Sequence, residues 1–158
     1  MILKKSRDLV IDTFSESIES VQDGMDISFC KLDKTTLMLE VAAATHSVYI
    51  FRQGVLTELK GDKITLGQDP FGRTIPYFTV HKYQLMKDDI IYTFTDGLPD
   101  QIGGPKRKKY KVGALKNQLS IISNLPLIEQ RIELKSILSN WQGEHPQLDD
   151  ILIMGVKV

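Results

Sequence analysis

Between Met25 and Thr95 the chain is cut into short apolar-rich runs separated by polar or glycine-containing turns, the first of them alternating apolar with polar or small residues. That pattern commits the front of the molecule to β-structure. Met25, Ile27 and Phe29 begin it, Asp33-Lys34-Thr35 reads as a turn into Thr36 to Ala43, and the two runs predict a hairpin. Ser47 to Arg52 and Val55 to Lys60 follow, split by Gln53-Gly54, so the first half predicts an antiparallel meander. Gly61 to Pro76, with its glycines and prolines, predicts a long surface loop, and Tyr77 to Leu85 and Asp89 to Thr95 predict two more strands. Beyond Gly103-Gly104-Pro105 the period changes. Val112, Leu115, Leu119 and Ile122 form one helical stripe, and Leu127, Leu134, Leu138 and Trp141 another, with Trp141 read as core. A closing strand, Ile151 to Val158, and an opening helix, Lys4 to Gln22, complete an α+β chain with a largely antiparallel sheet and flanking helices.

A length of 158 residues suits one domain, here residues 1 to 158. Lys plus Arg and Asp plus Glu are both 20, so no net field holds a nucleic-acid backbone or an acidic membrane. Neither partner is expected. One cysteine, Cys30, forms no intrachain disulfide, and no apolar run exceeds four residues, so a cytoplasmic protein is expected. Phosphate-loop, dinucleotide, nucleophile-elbow and H-E-x-x-H motifs are all absent. His46, His81 and His145 lie far apart without ligand spacing, which leaves zinc little support. The stretch Lys106 to Lys111 reads as a flexible solvated loop, with phosphoprotein docking as the sharper alternative.

Two aspartates carry the chemistry. Asp96 ends an apolar strand and is followed by Gly97; Asp149 opens the last strand. If those strands are antiparallel neighbours, both carboxylates reach one sheet edge, where mutual repulsion calls for a hard cation such as Mg²⁺ or Mn²⁺. Asp-Gly is also a routine turn and Asp-Asp a routine strand boundary, and pattern alone leaves both readings open.

The run Asp88-Asp89-Ile90-Ile91-Tyr92-Thr93-Phe94-Thr95-Asp96-Gly97-Leu98-Pro99-Asp100-Gln101-Ile102-Gly103-Gly104-Pro105-Lys106 resembles the signature of the SpoIIE-like branch of the PPM-type metal-dependent serine/threonine protein phosphatases, and so does the ending Asp149-Asp150-Ile151-Leu152-Ile153-Met154. Asp23 to Ser28, Ala42 to Ile50 and Leu66-Gly67 match in the same order. The resemblance implies a two-layer sheet sandwich with flanking helices, and a dinuclear Mg²⁺ or Mn²⁺ centre whose activated water attacks a phosphoserine or phosphothreonine of a bacterial regulatory protein. It implies that Asp96, in the T-D-G element, and Asp149, first in the D-D element, are the catalytic metal ligands, with Asp150 supporting them or forming a turn. The family's D-x-x-G-H-G strand, which bears the bridging aspartate, has no match here, and Asp23-Gly24 does not replace it. The residues are therefore read as the C-terminal majority of the family domain. Metal is expected to bind weakly, activity to be low or lost, and the alternative function is an inactive phosphatase-like interaction module. Thr45-His46-Ser47 departs from the family pattern, leaving the role of His46 open. An uncovered first helix or sheet edge is expected to make the chain a homodimer.

Overall fold

The computed structural model describes residues 2–15, 24–67 and 77–158. In chain order the elements are α1 (Ile2–Ser15), β1 (Gly24–Met25), β2 (Ile27–Asp33), β3 (Met38–Ala44), β4 (Val48–Arg52), β5 (Val55–Leu59), β6 (Leu66–Gly67) and β7 (His81–Gln84). Then come β8 (Ile90–Phe94), α2 (Gly97–Asp100), β9 (Ile102–Gly103), β10 (Lys108–Lys109), α3 (Val112–Ile122), α4 (Leu127–Gln142) and β11 (Ile153–Lys157). They divide into two compact units, Met1–Val48 with Glu58–Leu85, and Tyr49–Thr57 with Met86–Val158.

In the first unit β2, β3 and β7 form an antiparallel sheet. Alternation sets its faces: Leu39, Val41 and Ala43 are buried, and Glu40 points the other way between Lys31 and Lys82 at 3.3 and 3.2 Å. Those two ammonium groups, Lys82 foremost, lower the Glu40 pKa. The predicted hairpin is present because the Asp33 carboxylate accepts from the Thr35 and Thr36 N–H groups at 2.8 and 3.1 Å, closing the turn on itself. α1 buries Leu3 and donates from Arg7 Nε to the Gly67 carbonyl at 3.0 Å.

The second unit carries the helices. Its sheet has the order β11-β8-β4-β5, and β8 is antiparallel to both β4 and β11. Gln53 and Gly54 turn β4 into β5 with φ of 51° and 81°, the left-handed pair a two-residue hairpin demands. Tyr49, Phe51, Tyr92 and Phe94 share a buried cluster with Leu115, Leu119 and Ile122 of α3, and Ile151 and Ile153 pack against it. Tyr49 and Phe94 meet at 4.9 Å between ring centroids, Phe51 and Tyr92 edge to face at 5.8 Å. Burial pushes the Tyr92 phenol up to about 12.

The single meander is corrected. β4 does not continue the sheet of β2 and β3 but lies between β8 and β5 in the other sheet, and β3 pairs instead with β7 from far along the chain. Val48 to Phe51 is buried at every position, as a central strand covered on both faces requires, and such a run carries no alternation to betray its partners. Only His81–Gln84 of the run Tyr77 to Leu85 is strand. The opening helix is described to Ser15, and the rest of its predicted span lies outside the described residues, as does 68–76 of the predicted loop. The earlier part of that loop is ordered, since β6 pairs with β1 and Asp62 bridges to Ala44. The basic stretch is also ordered: Lys108 and Lys109 pair with Gly103 and Ile102, and Lys109 meets Asp100 at 2.7 Å. Trp141 holds this hairpin, donating from Nε1 to the Gln101 carbonyl at 2.9 Å and accepting from the Gly104 N–H at 2.8 Å.

Asp89, 1% exposed, anchors the entry to β8. Its carboxylate accepts from Arg52 Nε and Nη2 at 2.9 and 2.7 Å and from the Met86 N–H at 2.8 Å. Burial alone would raise its pKa, but the guanidinium and the Met86 N–H outweigh it and leave the pKa below the usual 3.8. The stabilisation is therefore complete above the unfolded carboxyl value and lost as pH falls through the folded one. Asp89→Ala, which removes this buried carboxylate from Arg52 and the Met86 N–H, should cost about 3 kcal/mol in urea unfolding at pH 7. The gap between variant and parent should narrow as the titration is taken below pH 3.8.

Candidate metal centre

The site is built by the far end of the β8 and β11 pair. Phe94 is opposite Ile153, and the ladder runs on past both assigned ends: the Thr95 N–H donates to the Leu152 carbonyl at 3.0 Å. Thr95 then uses its side chain twice. Its Oγ1 donates to the Asp150 carbonyl at 2.7 Å and accepts from the Leu152 N–H at 2.9 Å. These three bonds clamp the residues around Asp96 to the residues around Asp149, although they are about fifty positions apart in sequence. Gly97 completes the fit, because a Cβ there would collide with the Asp150 carbonyl.

Asp96 occupies the N-cap position of α2, yet its φ and ψ of −74° and −10° are already helical and its side chain caps nothing. Its backbone carbonyl accepts from the Asp100 N–H at 2.8 Å. Asp149 is exposed; its Oδ1 accepts from the Asp150 N–H at 2.7 Å and its carbonyl from Gln147 Nε2 at 2.8 Å. The two aspartates selected from the sequence thus stand at the same end of one strand pair. Asp150 contributes its backbone to the clamp.

His46 belongs to the first unit, where Nε2 lies 3.4 Å from Asp26 Oδ2. The Asp26 Oδ1 is buried with no partner among the described residues. Asp62, in the same unit, spends both carboxylate oxygens on Thr79, at 2.6 Å to its N–H and 2.8 Å to its hydroxyl.

In kind, the donors at the end of β8 and β11 suit a hard divalent cation: carboxylate oxygens beside backbone carbonyls. In number they fall short. Among the described residues no group of three or more His, Cys, Asp or Glu side chains is placed to hold a metal, so these residues do not by themselves make a complete centre.

No family model and no curated protein matches the chain. Solved structures do. The SiaA PP2C domain of Pseudomonas aeruginosa matches with a TM-score of 0.75 at 24% identity, over 99% of this chain and 68% of that one. The chain has the fold of the PP2C phosphatase domains. A Bacillus subtilis structure holding the SpoIIE PP2C phosphatase domain and a fragment of its regulatory domain matches at 0.71 and 11% identity, over 99% of this chain and 43% of that one. RsbU and RsbW domains from Mycobacterium tuberculosis match at 0.67 and 15%, over 99% and 46%. One SpoIIE phosphatase structure in the set comes from crystals presoaked with Mn. The α+β reading and the resemblance to SpoIIE-like phosphatases hold at the level of fold.

The sequence reading passed over Thr95. Its signal was a hydroxyl just past the last apolar residue of a strand, immediately before Asp96-Gly97. Thr95→Val keeps the shape and removes both side-chain bonds, so it should cost about 1–3 kcal/mol and speed amide exchange at Leu152. Thr95→Ser should recover most of the loss in the same denaturant and exchange measurements.

Proposed function

We propose that this chain forms the larger part of a metal-dependent serine/threonine protein phosphatase domain of bacterial signalling, acting in the cytoplasm on a phosphoserine or phosphothreonine of a regulatory protein. Asp96 and Asp149 are its metal ligands, for Mg²⁺ or Mn²⁺. The observation that supports the reading is the Thr95 clamp, which ties the end of β8, where Asp96 follows, to the Asp150–Leu152 segment next to Asp149 in a chain with the PP2C fold. Two carboxylates hold such an ion loosely, because Mg²⁺ gives up its waters reluctantly and asks for near-octahedral oxygen coordination. With these two ligands alone the chain is accordingly a poor catalyst, and a working centre needs a further acidic ligand beside them. No described helix is long and apolar enough to cross a membrane.

A second reading, an interaction module without catalysis, is favoured by the absence of a three-ligand group among the described residues. One experiment separates the two. Turnover of a phosphoserine peptide at millimolar Mn²⁺ should be near background for the chain alone and should rise when a polypeptide bearing a D-x-x-G-H-G strand is added. Losing a residue that merely supports a metal ligand costs about 10- to 100-fold, so Asp96→Asn and Asp149→Asn should each remove at least that much of the restored rate. Vigorous turnover without the added strand would contradict the two-ligand account. Association without any turnover would establish the module.

A further inference from the structure

Positions 106–111, at the tip and outgoing strand of the β9 and β10 hairpin, gather five of the chain's 20 Lys and Arg residues. Lys109 meets Asp100 at 2.7 Å. Lys106, Arg107, Lys108 and Lys111 are exposed, and among the described residues their side chains have no ion-pair or hydrogen-bond partner. Like charges this crowded repel one another, and a loose loop would spread them. This stretch is held instead. Gly103 and Gly104 lie so close to Trp141 that a Cβ on either would collide with it, and the Tyr110 and Trp141 rings meet edge to face at 5.4 Å. The Gly104 N–H donates to the Trp141 carbonyl at 2.8 Å and the Lys111 N–H to the Pro99 carbonyl at 2.7 Å, so the stretch is fastened by α4 at its start and by α2 at its end.

Two of the cations also sit where a side chain is strained. Arg107 has a φ of 48°, and Lys111 a φ of 77° with a ψ of 146°, conformations that glycine adopts freely and other residues rarely do. In the same turn the chain does use glycine at position 104, with a φ of 66°. Cations kept at such positions, unpaired and on a fixed scaffold, form a surface prepared for an anion. Charge identifies its source. Outside the stretch acidic residues outnumber basic ones, so an extended polyanion such as a nucleic acid or an anionic bilayer is repelled by the remainder of the chain. No apolar side chain stands at the turn, Gly104 to Arg107, to enter a bilayer beyond the ring of Pro105. A second copy of this chain offers acids no more than two in a row, at Asp88-Asp89 and Asp149-Asp150. The hairpin already holds one carboxylate, that of Asp100 on Lys109. We propose that the β9 and β10 hairpin, with the Lys111 that follows it, docks an acidic segment of another protein, one with several carboxylates in succession. This inference is independent of whether the aspartate pair is catalytic.

The test uses the full chain and a capped, fluorescein-labelled peptide, Gly-Glu-Asp-Glu-Asp-Glu-Gly. Saturable binding by anisotropy is expected, weakening with added salt, with amide chemical shifts moving at 104–111 and a peptide with Lys at every acidic position failing to bind. R107G/K111G removes two cations and puts glycine where the backbone favours it, so it should unfold at no lower urea concentration than the parent yet bind about tenfold more weakly, the scale of two exposed ion pairs. K106Q/K108Q, which leaves both left-handed positions untouched, should weaken binding comparably. R131Q/K135Q, altered at exposed positions of α4, should bind as the parent does. Parent-like binding by both hairpin variants, an equal loss in R131Q/K135Q, or shifts centred away from 104–111 would overturn the proposal. So would tighter binding of a DNA duplex or of phosphatidylserine vesicles than of the peptide at the same salt concentration.

Discussion

The antiparallel pairing of β8 with β11, locked at its far end by Thr95, is the constraint on which the rest of the second unit depends. A two-stranded ladder ordinarily frays where its last backbone bonds end. Here a hydroxyl that both donates to Asp150 and accepts from Leu152 carries the order past that point. Gly97 lets the two backbones close to contact, and α2 begins at that residue. The other end of β8 is held as firmly by Asp89 under the Arg52 guanidinium. Between those anchors Tyr92 and Phe94 are presented to α3, and packing and site geometry become consequences of one register.

Much of this was legible in the sequence, for identifiable reasons. The helical stripes at 112–122 and 127–142 stand out because a 3.6-residue period survives wherever one face is buried. The β2 and β3 hairpin was readable because Asp33 writes its own turn. Sheet membership was not. Val48 to Phe51 is apolar throughout, so nothing local distinguishes a partner in β5 and β8 from one in β3. The ordering of Lys106 to Lys111 was equally hidden, since it rests on Trp141, more than thirty positions later, holding Gln101 and Gly104. Of the candidate site, the aspartates themselves were visible through the strand-then-glycine pattern at 96–97. The residue that positions them was not, because a threonine ending a strand looks like any other.

Fold and site completeness part company in this chain. The likeness to PP2C domains covers 99% of its length, but it spans 68% of the SiaA domain and 43% of the SpoIIE structure that also holds a regulatory fragment. Asp96 and Asp149 stand at the same end of one strand pair, and among the described residues no group of three or more His, Cys, Asp or Glu side chains is placed to hold a metal.

The central claim is that Asp96 and Asp149 share one cation at the end of the β8 and β11 pair. Paramagnetic broadening of amide signals on titration with Mn²⁺ tests it directly, since it locates even a weakly held ion without relying on catalysis. The account predicts that signals from 95–98 and 148–151 broaden first and together, and that Asp96→Asn or Asp149→Asn abolishes the effect at both segments. Broadening confined to one segment, or centred on Asp26 and His46 in the other unit, would contradict it.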